Sequence, residues 1–361
     1  MVDVAGDHDD AGVAEGFADP AADLGQVNIA VFGPTGAGKS SLINAVFGDE
    51  TAPTGVGEPV TQSFTGYVNS TGTLCIWDGR GYETGERKPL RDLRKELSRK
   101  GRARMDVAWF VIRDHRLDDG RKELIRELAA LGLPVIVVVT GQDRRPGDQV
   151  DPRALQFVEA VRAMDLPIVD GVPVLTSAAP PPWGEQHGLL ELLERTRRVV
   201  PVARREALEA AQRIDQTTKR RLARTWIAGA AVLSGGVGAV PLPGSDAVVL
   251  VPAQLALMAK IATLYGIPKG EATSAAALIT AGAKQGGIRL AASLVGVVPG
   301  PGQVINAAVA STITAVAGES WRYACEQVFV GKVDMSQMDA VRSFVATFTD
   351  GMKNRRGEEL A

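Results

Sequence analysis

The chain has 361 residues, of which 45% are hydrophobic and 23% charged, with a formal net charge of -2. At roughly 100–200 residues per domain that length gives two or three domains with real cores, and the usage excludes a wholly disordered chain. Two cysteines, Cys75 and Cys325, exclude a disulfide scaffold and a cysteine zinc site, three histidines argue against a histidine metal site, and near-neutral charge gives no global pull toward nucleic acid.

In chain order, residues 1–26 read as a disordered acidic tail. They hold Asp3, Asp7, Asp9, Asp10, Glu15, Asp19 and Asp23, with no Lys or Arg. Such a segment buries too little apolar area to offset its ordering entropy, and it has neither the basic nor the apolar region of a signal peptide. Residues 27–200 alternate. Val27–Phe32 reads as a buried strand entering a glycine turn, and 40–47 has helical spacing. Runs at 73–77, 106–112, 135–140 and 172–175 are further short strands, with 64–69 as an antiparallel hairpin strand and amphipathic helices such as 121–131 between them. This pattern predicts a mostly parallel sheet covered on both faces.

Residues 201–224 read as a charged linker helix, periodic over 203–224 and ending in Lys219, Arg220, Arg221 and Arg224. Residues 225–332 read as an apolar, all-helical domain. From 225 to 318 the only charged residues are Asp246, Lys260, Lys269, Glu271, Lys284 and Arg289. Much of the chain's glycine excess, 40 residues beside 5% aromatics, lies in this block. Residues 333–361 return to charge, with an amphipathic helix at Val341, Phe344, Val345 and Phe348 and a polar end.

The segment Gly33, Pro34, Thr35, Gly36, Ala37, Gly38, Lys39, Ser40 fits the phosphate-loop pattern, preceded by a strand and followed by a helix that begins Ser40, Ser41. Glycines let backbone N–H groups wrap a phosphate, and the helix N-terminus adds positive potential. Lys39 is positioned for the β- and γ-phosphates and Ser40 for Mg²⁺. Thr61, in a Gly/Pro-rich loop, is the candidate switch threonine that completes the metal shell. Asp78 and Gly81 frame a D-x-x-G box, the carboxylate for Mg²⁺ and the amide for the γ-phosphate. Thr140, Gly141, Gln142 and Asp143 stand where guanine-reading proteins have N/T-K-x-D, with Gly141 in place of the lysine that covers the base. Asp143 would accept from guanine N1–H and the exocyclic amine, a donor pair adenine lacks. Ser177-Ala178 matches the S-A box that supports the ring.

The stretch FGPTGAGKSSLINAVFG at 32–48 resembles the phosphate loop of the Era-like and immunity-related branches of the GTPase superfamily. The resemblance implies a Ras-like six-stranded sheet flanked by helices, with GTP or GDP and Mg²⁺ as cofactors. The segments 236–266 and 298–321 resemble a small-residue-rich helical domain that follows such G domains. Two departures matter. Tyr82 follows the D-x-x-G box where many members orient water with Gln, and Gly36 stands where potassium-using members have Asn. The expectation is slow GTP hydrolysis, accelerated by self-association through the G domain or by a protein partner. A nucleotide-gated scaffold with negligible hydrolysis, favoured by Tyr82, and an ATPase, favoured by Gly141, are the alternatives.

Residues 86–104 form a basic stretch with Leu90, Leu93 and Leu97 at helical spacing. It reads as a solvated amphipathic helix, or as a surface for an acidic partner or anionic lipid. With no interleaved aromatic residue it argues against nucleic acid. Arg80 and Arg87 are candidate arginine fingers. Residues 225–245 are long enough to span a bilayer but are interrupted by Gly235, Gly236, Gly238, Pro241 and Pro243. Two readings stay open, a helical domain that touches an anionic membrane and a wholly soluble bundle. The expected location is the cytoplasm, at the inner face of the cell membrane if the membrane reading holds.

Overall fold

The computed structural model describes residues 24–48, 65–79, 105–145, 147–238, 245–267 and 302–333. The described chain divides between Gln216 and Thr217 into two units. Thr61, Gly81, Tyr82, Arg80, Arg87, the basic stretch 86–104 and the helix expected at 341–348 lie outside the described residues.

The first unit is built on strands β1 Val27–Phe32, β2 Thr65–Val68, β3 Leu74–Asp78, β4 Val107–Ile112, β5 Val135–Val139 and β6 Val174–Leu175. They form one sheet in the order β2-β3-β1-β4-β5-β6. Only β2 is antiparallel, paired to β3. Strands covered on both faces read as unbroken apolar runs, and VAWFVI and VIVVV are buried at every position. Helices α1 Lys39–Phe47, α2 Asp119–Ala130, α3 Pro152–Ala163 and α4 Leu189–Val199 cover the sheet. The period-2 alternation of β1 sends Ile29 and Val31 into one core with Leu42, Val46 and Leu192. Ala30 and Phe32 enter the other core with Leu124, Leu128, Phe157 and Val161. This is the Ras-like arrangement. Trp109 is wholly buried, stacks on Phe47 at 5.7 Å, and donates its indole N–H to Thr196 Oγ1 at 3.0 Å.

The unit extends beyond 27–200. Leu24 is buried, and the Arg204 guanidinium donates to the Gln26 carbonyl. The charged helix expected over 203–224 is divided. Helix α5 Arg205–Ala211 packs Ala207, Leu208 and Ala211 into the first core. The chain then breaks at Gln212, whose buried Oε1 accepts the N–H groups of Ile214 at 2.8 Å and Asp215 at 2.7 Å. A side chain that captures backbone donors a few residues on ends the helix. The Arg213 N–H reaches the Val46 carbonyl at 2.8 Å, tying this turn to the end of α1.

The second unit contains α6 Gln216–Gly238 from its second residue on, α7 Ser245–Leu264 and α8 Gly302–Phe329. Of the expected interruptions, Gly235 and Gly236 do not break α6, which ends at Gly238; Pro241 and Pro243 lie outside the described residues, and α7 runs through Pro252. Trp321, wholly buried, donates its indole N–H to the Met258 carbonyl at 2.7 Å. Thr314 Oγ1 lies 3.0 Å from both Ser234 Oγ and Gln254 Nε2, so one hydroxyl links three helices. Lys219 is buried, donates to the Leu264 carbonyl, and lies 5.3 Å above the Phe329 ring. Glu326 takes hydrogen bonds from Arg220 and from Arg322, the latter at 2.5 Å. Burial pulls the Glu326 carboxyl up, but the Arg220 and Arg322 hydrogen bonds win and hold it below its ordinary range. Burial, then the Glu326 charge, push the Tyr265 hydroxyl up to about 12. Among the described residues no helix is long and apolar enough to cross a membrane.

Candidate functional site

In a parallel sheet the loops that leave the carboxyl ends of the strands share one rim, where open α/β folds bind ligands. Here β1 leads to Gly33, β3 ends on Asp78, β4 leads to Arg113, β5 leads to Thr140, and β6 leads to Ser177. The phosphate loop leaves β1 at Gly33 with φ +139°. A Cβ there would lie 2.0 Å from the Val111 carbonyl oxygen, so the loop passes β4 closely only because residue 33 has no side chain. The Ala37 N–H turns back to the Pro34 carbonyl at 3.1 Å, and Gly38 caps α1. Lys39 Nζ donates to the carbonyls of Gly33 at 2.7 Å and Pro34 at 3.1 Å, bridging the start of the loop. Pro34 is half-buried, Thr35 and Gly36 are exposed, and Ser40 and Ser41 are exposed in the first turn of α1. No acidic residue occupies that turn, so the positive end of the helix is left for an anion.

Asp78 is opposite Val31 in the β1–β3 register. The Gly79 N–H carries the ladder one step further, donating to the Val31 carbonyl at 3.1 Å. The D-x-x-G aspartate therefore stands beside the start of the phosphate loop.

Thr140 is the joint of the site. Its buried hydroxyl donates to the Ala37 carbonyl at 2.5 Å, and its N–H to the Ile112 carbonyl at 2.9 Å. The segment after β5 is thus fastened to the phosphate loop. Ser177 Oγ donates to Asp143 Oδ1 at 2.5 Å, which sets the carboxylate's orientation. Ala178 is buried beside it. The two loops are laced further. The Gln142 N–H donates to the Thr176 carbonyl at 3.1 Å, and His187 Nε2 donates to the Gln142 carbonyl at 2.6 Å. Ser177 and His187 exchange backbone hydrogen bonds at 3.1 and 3.3 Å.

A cavity of about 780 Å³ opens beside Gly141 and Asp143, with Arg113, Arg145, Trp183 and His187 in its wall. Arg145 lies over the Trp183 ring at 5.9 Å. On the β4 side the Asp114 carboxyl is raised by burial, but hydrogen bonding to Arg121 at 2.8 Å outweighs this and holds it below the usual range.

The structure brings Lys39, Asp78, Thr140, Asp143, Ser177 and Ala178 to one rim, as their order in the chain implies. Thr61 and Gly81 lie outside the described residues. Sequence reasoning missed Gln142, His187 and Arg113. Gly141, where the resembled motif has a larger side chain, hinted that another group covers the site, without naming Arg113.

Residues 28–141 match the family model described as 50S ribosome-binding GTPase. No curated protein matches the chain. Among solved structures, the G domain of the T. maritima FeoB iron transporter is 22% identical, over 48% of this chain and 99% of that one, with a TM-score of 0.31. Toc33 from Arabidopsis thaliana, solved in complex with Mg²⁺ and GMPPNP, is 18% identical over 52% of this chain and 92% of its own, also at 0.31. The family match covers β1 to the start of the loop after β5 and includes the phosphate loop, Asp78 and Thr140.

Proposed function

We propose that the chain binds GTP and GDP with Mg²⁺, hydrolyses GTP slowly, and uses the bound state as a switch coupled to its helical unit. The observation that carries this is the Thr140–Ala37 hydrogen bond together with the Asp143–Ser177 pair. A phosphate cradle and a fixed, base-reading carboxylate are held as one piece.

The exposed backbone of the loop and the amino end of α1 suit the phosphates, and Lys39 would exchange the Gly33 and Pro34 carbonyls for phosphate oxygens. Asp143 would accept from guanine N1–H and the exocyclic amine, with Ser177 holding it in place. This pairing favours guanine over adenine. The Ser40 hydroxyl and Asp78 carboxylate are hard oxygen donors that suit Mg²⁺, with Thr61 as the further ligand. When bound, the ion neutralises phosphate charge.

Tyr82 has no amide with which to orient a water, so the intrinsic rate is low, and a second copy or a partner supplies the missing group. Peripheral membrane contact of the helical unit is supported by Val232 and Leu233, both 73% or more exposed on α6. A single-turnover GTP assay at rising protein concentration tests the reading: the rate should start low and climb. A fast rate that ignores concentration contradicts it.

A further inference from the structure

Gly141 occupies the place of the missing base-covering lysine, yet the space before it is filled. The residue has φ +68°, and a Cβ built on it would stand 2.9 Å from Arg113 Nε, 3.2 Å from Cζ and 3.3 Å from Nη2. The Arg113 guanidinium thus lies against the bare Cα of Gly141. It arrives from β4, whose last residue, Ile112, is paired with Val139 of β5. Arg113 and Gly141 line the same cavity as Asp143. The neighbouring carboxylate is not its partner, because Arg121 takes Asp114 at 2.8 Å. Among the described residues Arg113 makes no ion pair.

We infer that Arg113 is the base-covering residue of this site, packing its guanidinium plane on the face of the purine whose edge Asp143 reads. The inference rests on the guanine-nucleotide reading above. The chemistry is suitable: a guanidinium is planar, weakly hydrated and permanently charged, and it stacks on π-systems where an ammonium acts as a point charge. A lysine at 141 would supply its cover through an alkyl stem from the loop after β5. Here the cover comes from the neighbouring strand, and glycine at 141 makes room for it. Stacking needs a π-face and no particular edge. Arg113 therefore contributes affinity for the base, and Asp143 contributes the choice of base.

The test is equilibrium binding to the full chain with Mg²⁺, using GDP, ADP and ribose 5-diphosphate, which keeps the sugar and phosphates and lacks the base. Arg113→Ala should weaken GDP about tenfold and leave ribose 5-diphosphate unchanged. Arg113→Lys, which keeps charge and loses the plane, should fall between. Loss of ribose 5-diphosphate binding by the same factor as GDP overturns the proposal, because Arg113 then acts on phosphate or on the fold. GDP binding by Arg113→Ala within about twofold of the parent also overturns it. Equal binding of ADP and GDP by the unsubstituted chain overturns the guanine reading itself, a separate failure.

Discussion

The two units place their polar groups differently. In the sheet unit, strand interiors are apolar, and Thr140, Asp143, Thr176 and Ser177 gather at the carboxyl rim. At the amino end, Asn28 and Asp106 pair off, the Asn28 N–H donating to Asp106 Oδ2 at 2.8 Å. In the helical unit, Lys219, Ser234, Thr314, Arg322 and Glu326 are buried along helix interfaces and bond to one another or to backbone. Ladder bonds satisfy the backbone of a sheet's inner strands, and the chain segments that leave those strands bring their polar groups to one rim, so rim groups converge on a common space. Helices satisfy their own backbones, so side chains between them lock register. Convergent groups suit a ligand, and mutually paired groups suit a scaffold.

The largest expected effect breaks the sheet unit. Trp109→Ala removes the side chain stacked on Phe47 and the indole donor to Thr196 Oγ1, and should cost about 3–5 kcal/mol in a denaturant titration. A cost under about 1 kcal/mol would mean that the core is not as described.

Lys39→Ala should reduce nucleotide affinity at least about a hundredfold, roughly 2.7 kcal/mol, while the thermal midpoint stays put. Calorimetric titration reads the affinity and a melting curve reads the midpoint. Thr140→Val keeps the shape and orphans the Ala37 carbonyl. It should cost about 1–3 kcal/mol of stability and weaken nucleotide binding about tenfold. An unchanged affinity would disconnect Thr140 from the phosphate loop.

The smallest effect sharpens the scaffold half of the comparison. Glu326 has its folded pKa depressed by Arg220 and Arg322. Its contribution is therefore present above the ordinary carboxyl pKa and is lost as pH falls through the depressed folded value. Glu326→Gln should be less stable by about 1 kcal/mol at neutral pH, with the gap closing below about pH 4. Melting curves from pH 3 to 7 check this, and a gap independent of pH contradicts the ion-pair account.

Much of the sheet unit was legible in the sequence, because buried parallel strands are unbroken apolar runs and the phosphate loop needs glycine at fixed positions. Asp143 and Ser177 were picked out by order, and the structure joins the two side chains by a hydrogen bond. The break after α5 was not legible, because it depends on one amide side chain capturing two backbone donors. Gly235 and Gly236 suggested an interruption that α6 does not show, because glycine's propensity cost of about 1 kcal/mol per residue is a weak prior within a 23-residue helix. Arg113 could not be picked out by itself, because its contact with Gly141 joins the segments that leave two adjacent strands, β4 and β5, far apart in the chain.

The central claim is that the rim reads guanine. Competition of GTP and ATP for the full chain, with Mg²⁺ and a fluorescent GDP as reporter, tests it most directly. GTP should displace the reporter at a concentration at least about a hundredfold lower than ATP, a difference of about 2.7 kcal/mol. Equal displacement by the two nucleotides would contradict the role given to Asp143.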